Sequence, residues 1–583
     1  MSATLQRQRD INSYADPTSV TTTHTDIHLD IDFERQVVSG KTSLTLSVVD
    51  DTAIKHVVLD TAYLKIGSVL LGEKPLEWEL QPWSEPNGRA LHIRLADEQP
   101  NASTFTLTVT FETEAGATGL QWFQPSQTDD KTHPFMFSQC EPVHARTIFP
   151  CQDTPAIKTT FDITIRSILP VVASGIPRHD LLFSPVAQTN TPKTYTFNQP
   201  IPISNYLFSV ASGNLTGEKI GDRSYVYCSP GDLEACTNEL RPDLGTIISA
   251  AENLIHEYPW PLYNLVILPK SFHLGGMENP VFNFYSATVI SGDRENINVV
   301  AHEFAHTYSG NLVTNASWEH FWLNEGWAVY IERYILKQLK GQEYKDFAAL
   351  VGWEDLVHAV EAYGGSDSPF TKLVLEFQGK RPDDIMSVVQ YEKGFIFLSY
   401  LEQIVGENKW HKFVPHYFKT FSKKAVDSEE FKKCVQDFFS GDEEAKAQLK
   451  AVDWDTWLHA PGLPPRPNIR SVLHDQCLEL ANQWISLCGD ETNKFFSPSS
   501  SDVEGWTVGQ QLVLLETLIS ASAPLPAQAA SQLGAIYKFS SSTNLEVLSR
   551  YLRVALRAKD PKAVEQTQHV LGQTGRMKFV RPL

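Results

Sequence analysis

His302, Glu303 and His306 stand in a short run, His302-Glu303-Phe304-Ala305-His306, that could hold a metal ion and a base on one face of a helix. Histidines four positions apart are separated by just over one helical turn, so both imidazoles point the same way and can share a cation. Glu303 between them can act as a base on water activated by that cation. Catalytic zinc takes three protein ligands and keeps one position open. Glu325, in Leu323-Asn324-Glu325-Gly326, is the candidate third ligand. The expected cofactor is therefore Zn2+, one per chain, on His302, His306 and Glu325. Such an ion brings the pKa of bound water to about 7, so that Glu303 can take the proton and later deliver it to a leaving amine. The competing reading is a buried glutamate beside ordinary core histidines.

That geometry requires a helix, and the flanking residues have its period. Ile297, Val300, Ala301, Phe304, Ala305 and Tyr308 recur at i, i+3, i+4 and i+7, which buries one stripe and leaves the histidines at its edge. A second helix over 322–340, closed by Gly341, would return Glu325 to them through Asn315-Ala316-Ser317. Upstream, 247–258 reads as a helix and 265–268 as a short buried strand. The first 215 residues read as β structure. Ile27, Leu29, Ile31 and Phe33 alternate with polar residues, as do Leu44, Leu46 and Val48, then Phe105, Leu107, Val109 and Phe111, then Phe161, Ile163 and Ile165. One buried and one wet face implies antiparallel sheets. Turn residues such as Pro86-Asn87-Gly88 separate the strands. The run Pro461-Gly462-Leu463-Pro464-Pro465-Arg466-Pro467 reads as a stiff linker. Beyond it 472–487, 508–520, 527–537 and 544–557 have the pattern of successive amphipathic helices. The expected units are 1–215, 216–460, a linker at 461–470, and 471–583.

The 583 residues are too many for one core, and 42% hydrophobic with 20% charged residues is ordinary for a globular protein. A net charge of −20 argues against a nucleic-acid partner, which needs a basic surface; it suits cationic substrates such as peptide amines, and equally serves only to keep the protein in solution. No window approaches the ~20 apolar residues of a membrane span. The start, Met1-Ser2-Ala3-Thr4-Leu5-Gln6, lacks the apolar core of a signal peptide. Seven scattered cysteines fit reduced thiols, and the expected location is the cytoplasm, with the nucleus open to it. Sequons at Asn101, Asn214 and Asn315 are then coincidental.

Taken together, Gly275-Gly276-Met277-Glu278-Asn279, His302-Glu303-Phe304-Ala305-His306 and Glu325 resemble the zinc aminopeptidases of peptidase family M1. The branch to which the chain is most similar is that of the leukotriene A-4 hydrolase/aminopeptidases. Further matching stretches are Phe149-Pro150-Cys151-Gln152-Asp153-Thr154-Pro155, Pro369-Phe370-Thr371-Lys372-Leu373, Tyr391-Glu392-Lys393-Gly394-Phe395, Pro461-Gly462-Leu463-Pro464-Pro465 and Gly575-Arg576-Met577-Lys578-Phe579. The resemblance implies three domains: an N-terminal β saddle, a thermolysin-like α/β catalytic domain and a C-terminal armadillo-like helical domain, with the site where all three meet.

It also implies roles that spacing could not assign. Glu278 would bind the free α-amine of a peptide, making the enzyme an exopeptidase. Gly275, Gly276 and Met277 would lie along the substrate backbone; unaided, Gly-Gly-Met-Glu reads only as a turn. Tyr391 would donate to the oxyanion, where sequence alone favours a core tyrosine. Arg576 and Lys578 would receive the carboxylate of a short peptide, otherwise being a solvated basic tail. Asp383 matches a position favouring a basic first residue, and is otherwise a helix-start aspartate.

Three departures bear on this. Glu141-Pro142 replaces the branch's Gln-Ala and resembles the wider family, in which the glutamate is a second amine anchor. Met386 replaces a tyrosine that contacts a lipid epoxide. The chain stops at Leu583, where members of the branch carry further helical residues, so the C-terminal domain is expected to be short or truncated and Arg576 to fray. The expected activity is hydrolysis of the first peptide bond of short peptides. Its rivals are hydrolysis of a leukotriene-type fatty-acid epoxide at the same site, and an inactive scaffold, against which the intact His302, Glu303, His306, Glu325 and Tyr391 speak. Oligomeric state stays open.

Overall fold

The computed structural model describes residues 10–49, 53–99, 103–178, 191–488 and 496–583; the segment Met1-Ser2-Ala3-Thr4-Leu5-Gln6 and Asn101 lie outside them. The alternating segments form the expected strands. An eight-stranded sheet runs in the order Ile176–Pro177, Lys193–Ser204, Lys158–Ser167, Val20–Asp32, Val37–Val48, Thr104–Thr113, Leu64–Leu71 and Lys74–Pro75. Ile27, Leu29, Ile163 and Ile165 face a four-stranded sheet, while Leu44, Leu46, Leu107 and Val109 face a three-stranded one. Antiparallel pairing holds throughout the large sheet except once: Val20–Asp32 and Lys158–Ser167 are parallel, in register from His24 opposite Thr160 to Asp30 opposite Arg166. Between these strands the chain has laid down other parts of the domain, and so long a crossover permits a parallel return that alternation cannot reveal.

The middle of the chain carries a five-stranded sheet in the order Thr216–Gly221, Ser224–Cys228, Asn264–Leu268, Phe282–Ser286 and Gly276–Met277, so that Gly276–Met277 is an edge. Helices α1 (Leu233–Leu254), α2 (Ile297–Ala305), α3 (Trp322–Lys340), α4 (Gln342–Ala362), α5 (Pro382–Ile385), α6 (Val388–Val405) and α7 (Glu407–Thr420) follow or interleave with it. The helix expected over 247–258 is α1, which begins earlier and ends at Leu254. Pro242 lies inside it and obscures the pattern, although Cys236, Leu240, Leu244 and Ile247 form one buried stripe. Pro259 and Pro261 stop it. The stripe expected on α2 is fully buried, and α3 ends at Gly341 as its sequence signals.

The proline-rich run has no regular structure, but its first residues do not swing free. The Lys393 ammonium donates to the carbonyls of Thr371, Ala460 and Gly462 at 2.8–3.0 Å. Beyond it, Val472–Ile485, Val508–Ser520, Ala527–Ile536, Leu545–Arg557 and Pro561–Leu571 form a helical domain with a core of its own, including Trp484, Leu514, Leu533 and Leu552. Among the described residues no helix is long and apolar enough to cross a membrane.

Candidate active site

Helices α2 and α3 pack side by side and bring His302, His306 and Glu325 together, with one ligand atom of each within 4.8 Å of the others. The two Nε2 atoms lie 3.1 Å apart, and Glu325 Oε2 lies 3.5 Å from one and 3.4 Å from the other. The far side of each ring fixes its tautomer. His302 Nδ1 is 3.0 Å from Glu332, and His306 Nδ1 is 2.9 Å from both the Ser309 carbonyl and Asn324 Oδ1. With Nδ1–H donating outward, both Nε2 lone pairs face inward. Two facing lone pairs beside a buried carboxylate oxygen that has no hydrogen-bond partner form a cradle for a cation. This N, N, O set fits zinc. Glu332 was not among the residues singled out from sequence, although it follows Glu325 on the same helix face, two turns on.

The surroundings are heavily acidic. Glu303 and Glu278 are buried, and with His306 they form a second close group. Burial, partly offset by the imidazoles, raises the Glu303 carboxyl to about 8. Burial and then Glu278 push Glu141 well up. Buried oxygens of both Glu141 and Glu278 lack partners. For His306, burial opposes protonation, yet Glu278 and Glu325 outweigh it and lift the ring to about 9. So many carboxylates in a dry pocket call for positive charge from metal and substrate.

Edge strand Gly276–Met277 approaches this group closely. A Cβ on Gly276 would collide with the Glu303 carboxylate, and one on Gly275 would lie 2.8 Å from Arg576 Nη2. The two glycines thus admit Glu303 and Arg576 to the strand. On α6, the Tyr391 ring stacks on His302 with centroids 5.9 Å apart. Burial, then Glu325 and Glu141, push its phenol well up.

A cleft of about 390 Å³ is lined by Glu141, Asp383, Met386 and Tyr391 among others. Asp383 sits exposed on its rim, accepting a bond from His144 Nε2 at 2.9 Å; burial of the carboxyl is outweighed by this bond and its pKa falls. Gln121 and His273 are shared with a neighbouring cavity of about 810 Å³ that reaches Gly575 and Met577. Arg576 does not fray. It is 7% exposed, donates to Thr288 Oγ1 at 2.8 Å and lies 3.5 Å from Glu546. Lys578 also binds Glu546, at 2.9 Å, and lines a separate cavity of about 250 Å³ together with Arg576 and Glu332 rather than the cleft.

Fold and site together define a zinc-dependent hydrolase, and comparison with known proteins narrows the class. The Peptidase M1 N-terminal domain matches residues 21–207, the Peptidase family M1 domain 239–457, and the domain described as Leukotriene A4 hydrolase, C-terminal, 506–583. Leucine aminopeptidase 2 of Sclerotinia sclerotiorum is 45% identical over 99% of this chain and 94% of its own length. A leukotriene A-4 hydrolase homolog of Botryotinia fuckeliana is 44% identical over the whole chain and 89% of its own. The structure of yeast LTA4 hydrolase in complex with bestatin superposes with a TM-score of 0.92 at 36% identity, covering 99% of this chain and 92% of that one. The chain belongs to peptidase family M1, the zinc aminopeptidases.

Proposed function

We propose that this aminopeptidase removes the first residue of short peptides, with Glu303 as general base and Tyr391 as oxyanion donor. His302, His306 and Glu325 would hold one zinc ion per chain, which when bound acidifies water and polarises the scissile carbonyl. Glu303 accepts the proton of the attacking water and returns it to the leaving amine. The Tyr391 hydroxyl donates to the oxygen on which charge develops. Glu278 and Glu141 bind the substrate ammonium, and their unpartnered buried oxygens are the observation that carries the exopeptidase reading. An internal peptide bond offers those oxygens no cation. The free edge of Gly276–Met277 suits the peptide main chain. Arg576, fixed beside Gly275, receives the terminal carboxylate, and Asp383 on the rim faces the first side chain. Lys578, held by Glu546, supports Arg576.

Hydrolysis of a fatty-acid epoxide is a second reading, favoured as a side activity by Leu274, Phe321, Met386 and Val388 in the cleft. Met386 supplies no phenol to such a substrate. A cytoplasmic location is supported by seven cysteines, none in a disulfide; no observation supports a nuclear one.

The test is leucine release from tripeptides and a leucyl chromogen. Cleavage should vanish with a zinc chelator and in Glu303→Gln. Glu278→Ala should lose hydrolysis of free-amine peptides, and N-acetylated peptides should be inert to the wild type. Efficient cleavage of acetylated peptides would refute the amine-anchor reading. Epoxide turnover faster than peptide cleavage would invert the ranking of the two activities.

A further inference from the structure

A second group of ligand-type side chains lies where α6 passes into α7. Glu402 in the last turn of α6, Glu407 in the first turn of α7 and His411 one turn further offer ligand atoms within 4.8 Å of one another. Gly406 between the helices takes φ 90°, a left-handed turn that folds α7 back so that Glu407 and His411 share a face near Glu402.

The atoms carry the same signature as the catalytic cluster. There, Glu325 Oε2 sits 3.4–3.5 Å from two imidazole nitrogens and is buried without a hydrogen bond. Here, Glu402 Oε1 lies 3.3 Å from His411 Nε2, and both are buried atoms with no hydrogen-bond partner. An imidazole that simply paired with a carboxylate would aim its N–H at the oxygen. These two stand at ion-pair distance with no hydrogen bond between them, as ligands do around a shared third atom. Glu402 as a residue is only 9% exposed, so its orphaned oxygen has no water to turn to. The buried Tyr330 hydroxyl on α3 stands beside the same carboxylate.

We propose that Glu402, Glu407 and His411 bind a second divalent cation of the zinc class, outside the catalytic cluster. One imidazole and two carboxylates form a borderline donor set suited to zinc rather than to calcium or magnesium, which prefer all-oxygen sites. Glu407 is exposed and pairs with Lys337 at 3.1 Å through one oxygen, leaving its other oxygen to turn inward. An ion here would staple α6 to α7 beside α3, and α3 and α6 are the helices that carry Glu325 and Tyr391. The inference stands independently of the catalytic roles proposed above.

The test is the zinc content of the holoenzyme after equilibrium dialysis against micromolar free zinc. The wild type should hold two equivalents, and His411→Ala one, with peptide hydrolysis unchanged. Glu407→Gln, at an exposed position that does not threaten folding, should also hold one. The second equivalent should raise the wild-type Tm and leave that of His411→Ala unmoved. A single equivalent in the wild type would show that only water occupies the group. A second equivalent that survives both substitutions would place it elsewhere. Either result overturns the proposal.

Discussion

At the scale of single residues, the site is governed by how each imidazole is oriented from behind. His302 would be free to rotate about its side chain were Nδ1 not held 3.0 Å from Glu332. That contact makes the ring's metal-facing nitrogen the unprotonated one and raises its basicity. Removing the carboxylate in Glu332→Ala should weaken zinc affinity by about 10–100-fold, as loss of such outer partners typically does. Glu332→Gln, which keeps an acceptor, should lose less. Competition against a graded series of chelators reads the affinity directly. At saturating zinc, peptide hydrolysis by Glu332→Ala should recover most of its rate, which separates lost affinity from a damaged catalytic group. A rate that stays low at any zinc concentration would instead give Glu332 a part in the chemistry.

At the scale of elements, the decisive contact is the crossing of α3 and α6. Gly326 and Gly394 meet backbone to backbone: a Cβ on either would lie 2.8 Å from the other's Cα. This crossing brings Tyr391, one turn before Gly394, up to Glu325, the neighbour of Gly326. Every residue of Tyr391-Glu392-Lys393-Gly394 then has a task. Tyr391 faces the site, Glu392 takes Arg333 of α3 in a buried two-point pair at 2.7 and 2.8 Å, Lys393 pins the chain at Gly462, and Gly394 permits the approach. Gly326→Ala should force the helices apart, costing about 1–3 kcal/mol as overpacking does and lowering kcat more than it raises KM, because Tyr391 would leave the oxyanion. Chemical denaturation and steady-state kinetics measure the two effects. The same crossing shows what could and could not be seen beforehand. His302, Glu303 and His306 were legible because their chemistry is local to one helix, where spacing fixes direction. The helix border at Gly341 was legible for the same reason. The glycine contact and the Arg333–Glu392 pair were not, because each residue's partner sits on another helix and no period encodes who crosses whom. The parallel pairing of Val20–Asp32 with Lys158–Ser167 was hidden likewise, since alternation reports a face and not a neighbour.

For the whole molecule, the question is how the last residues of the chain come to serve a site built by the middle. The C-terminal helices have their own core and dock through an apolar seam, in which Phe347 of α4 meets Cys477 and Val513, and through polar bonds such as that of Asn296 with Asn544; within their domain one charge cluster holds the last residues. Glu546 gathers Lys578 at 2.9 Å, Arg550 at 2.8 Å and Arg576 at 3.5 Å, and Arg576 reaches on to Thr288 of the catalytic domain. Burial alone would raise the Glu546 carboxyl, but Lys578, Arg550 and Arg576 prevail and bring it from 4.5 to about 2. A carboxylate whose pKa is lower in the folded state stabilises that state above its unfolded pKa, and the contribution disappears as pH falls through the folded value. The shift corresponds to about 3 kcal/mol at neutral pH. The wild type should therefore lose Tm progressively below pH 4.5. Glu546→Gln should start lower at neutral pH, because Lys578 and Arg576 lose their counter-charge while Arg550 keeps Glu516 at 2.7 Å, and should then show a shallower acid limb. The substitution reaches the site as well. With Glu546 neutral, Arg576 loses its counter-charge and, among the described residues, keeps Thr288 as the hydrogen-bond partner of its guanidinium, so KM for tripeptides should rise while the leucyl chromogen, which has no terminal carboxylate to offer, is cleaved as before. If both substrates suffer equally, the C-terminal domain supports the site as a whole, and Arg576 is not the group that reads peptide length.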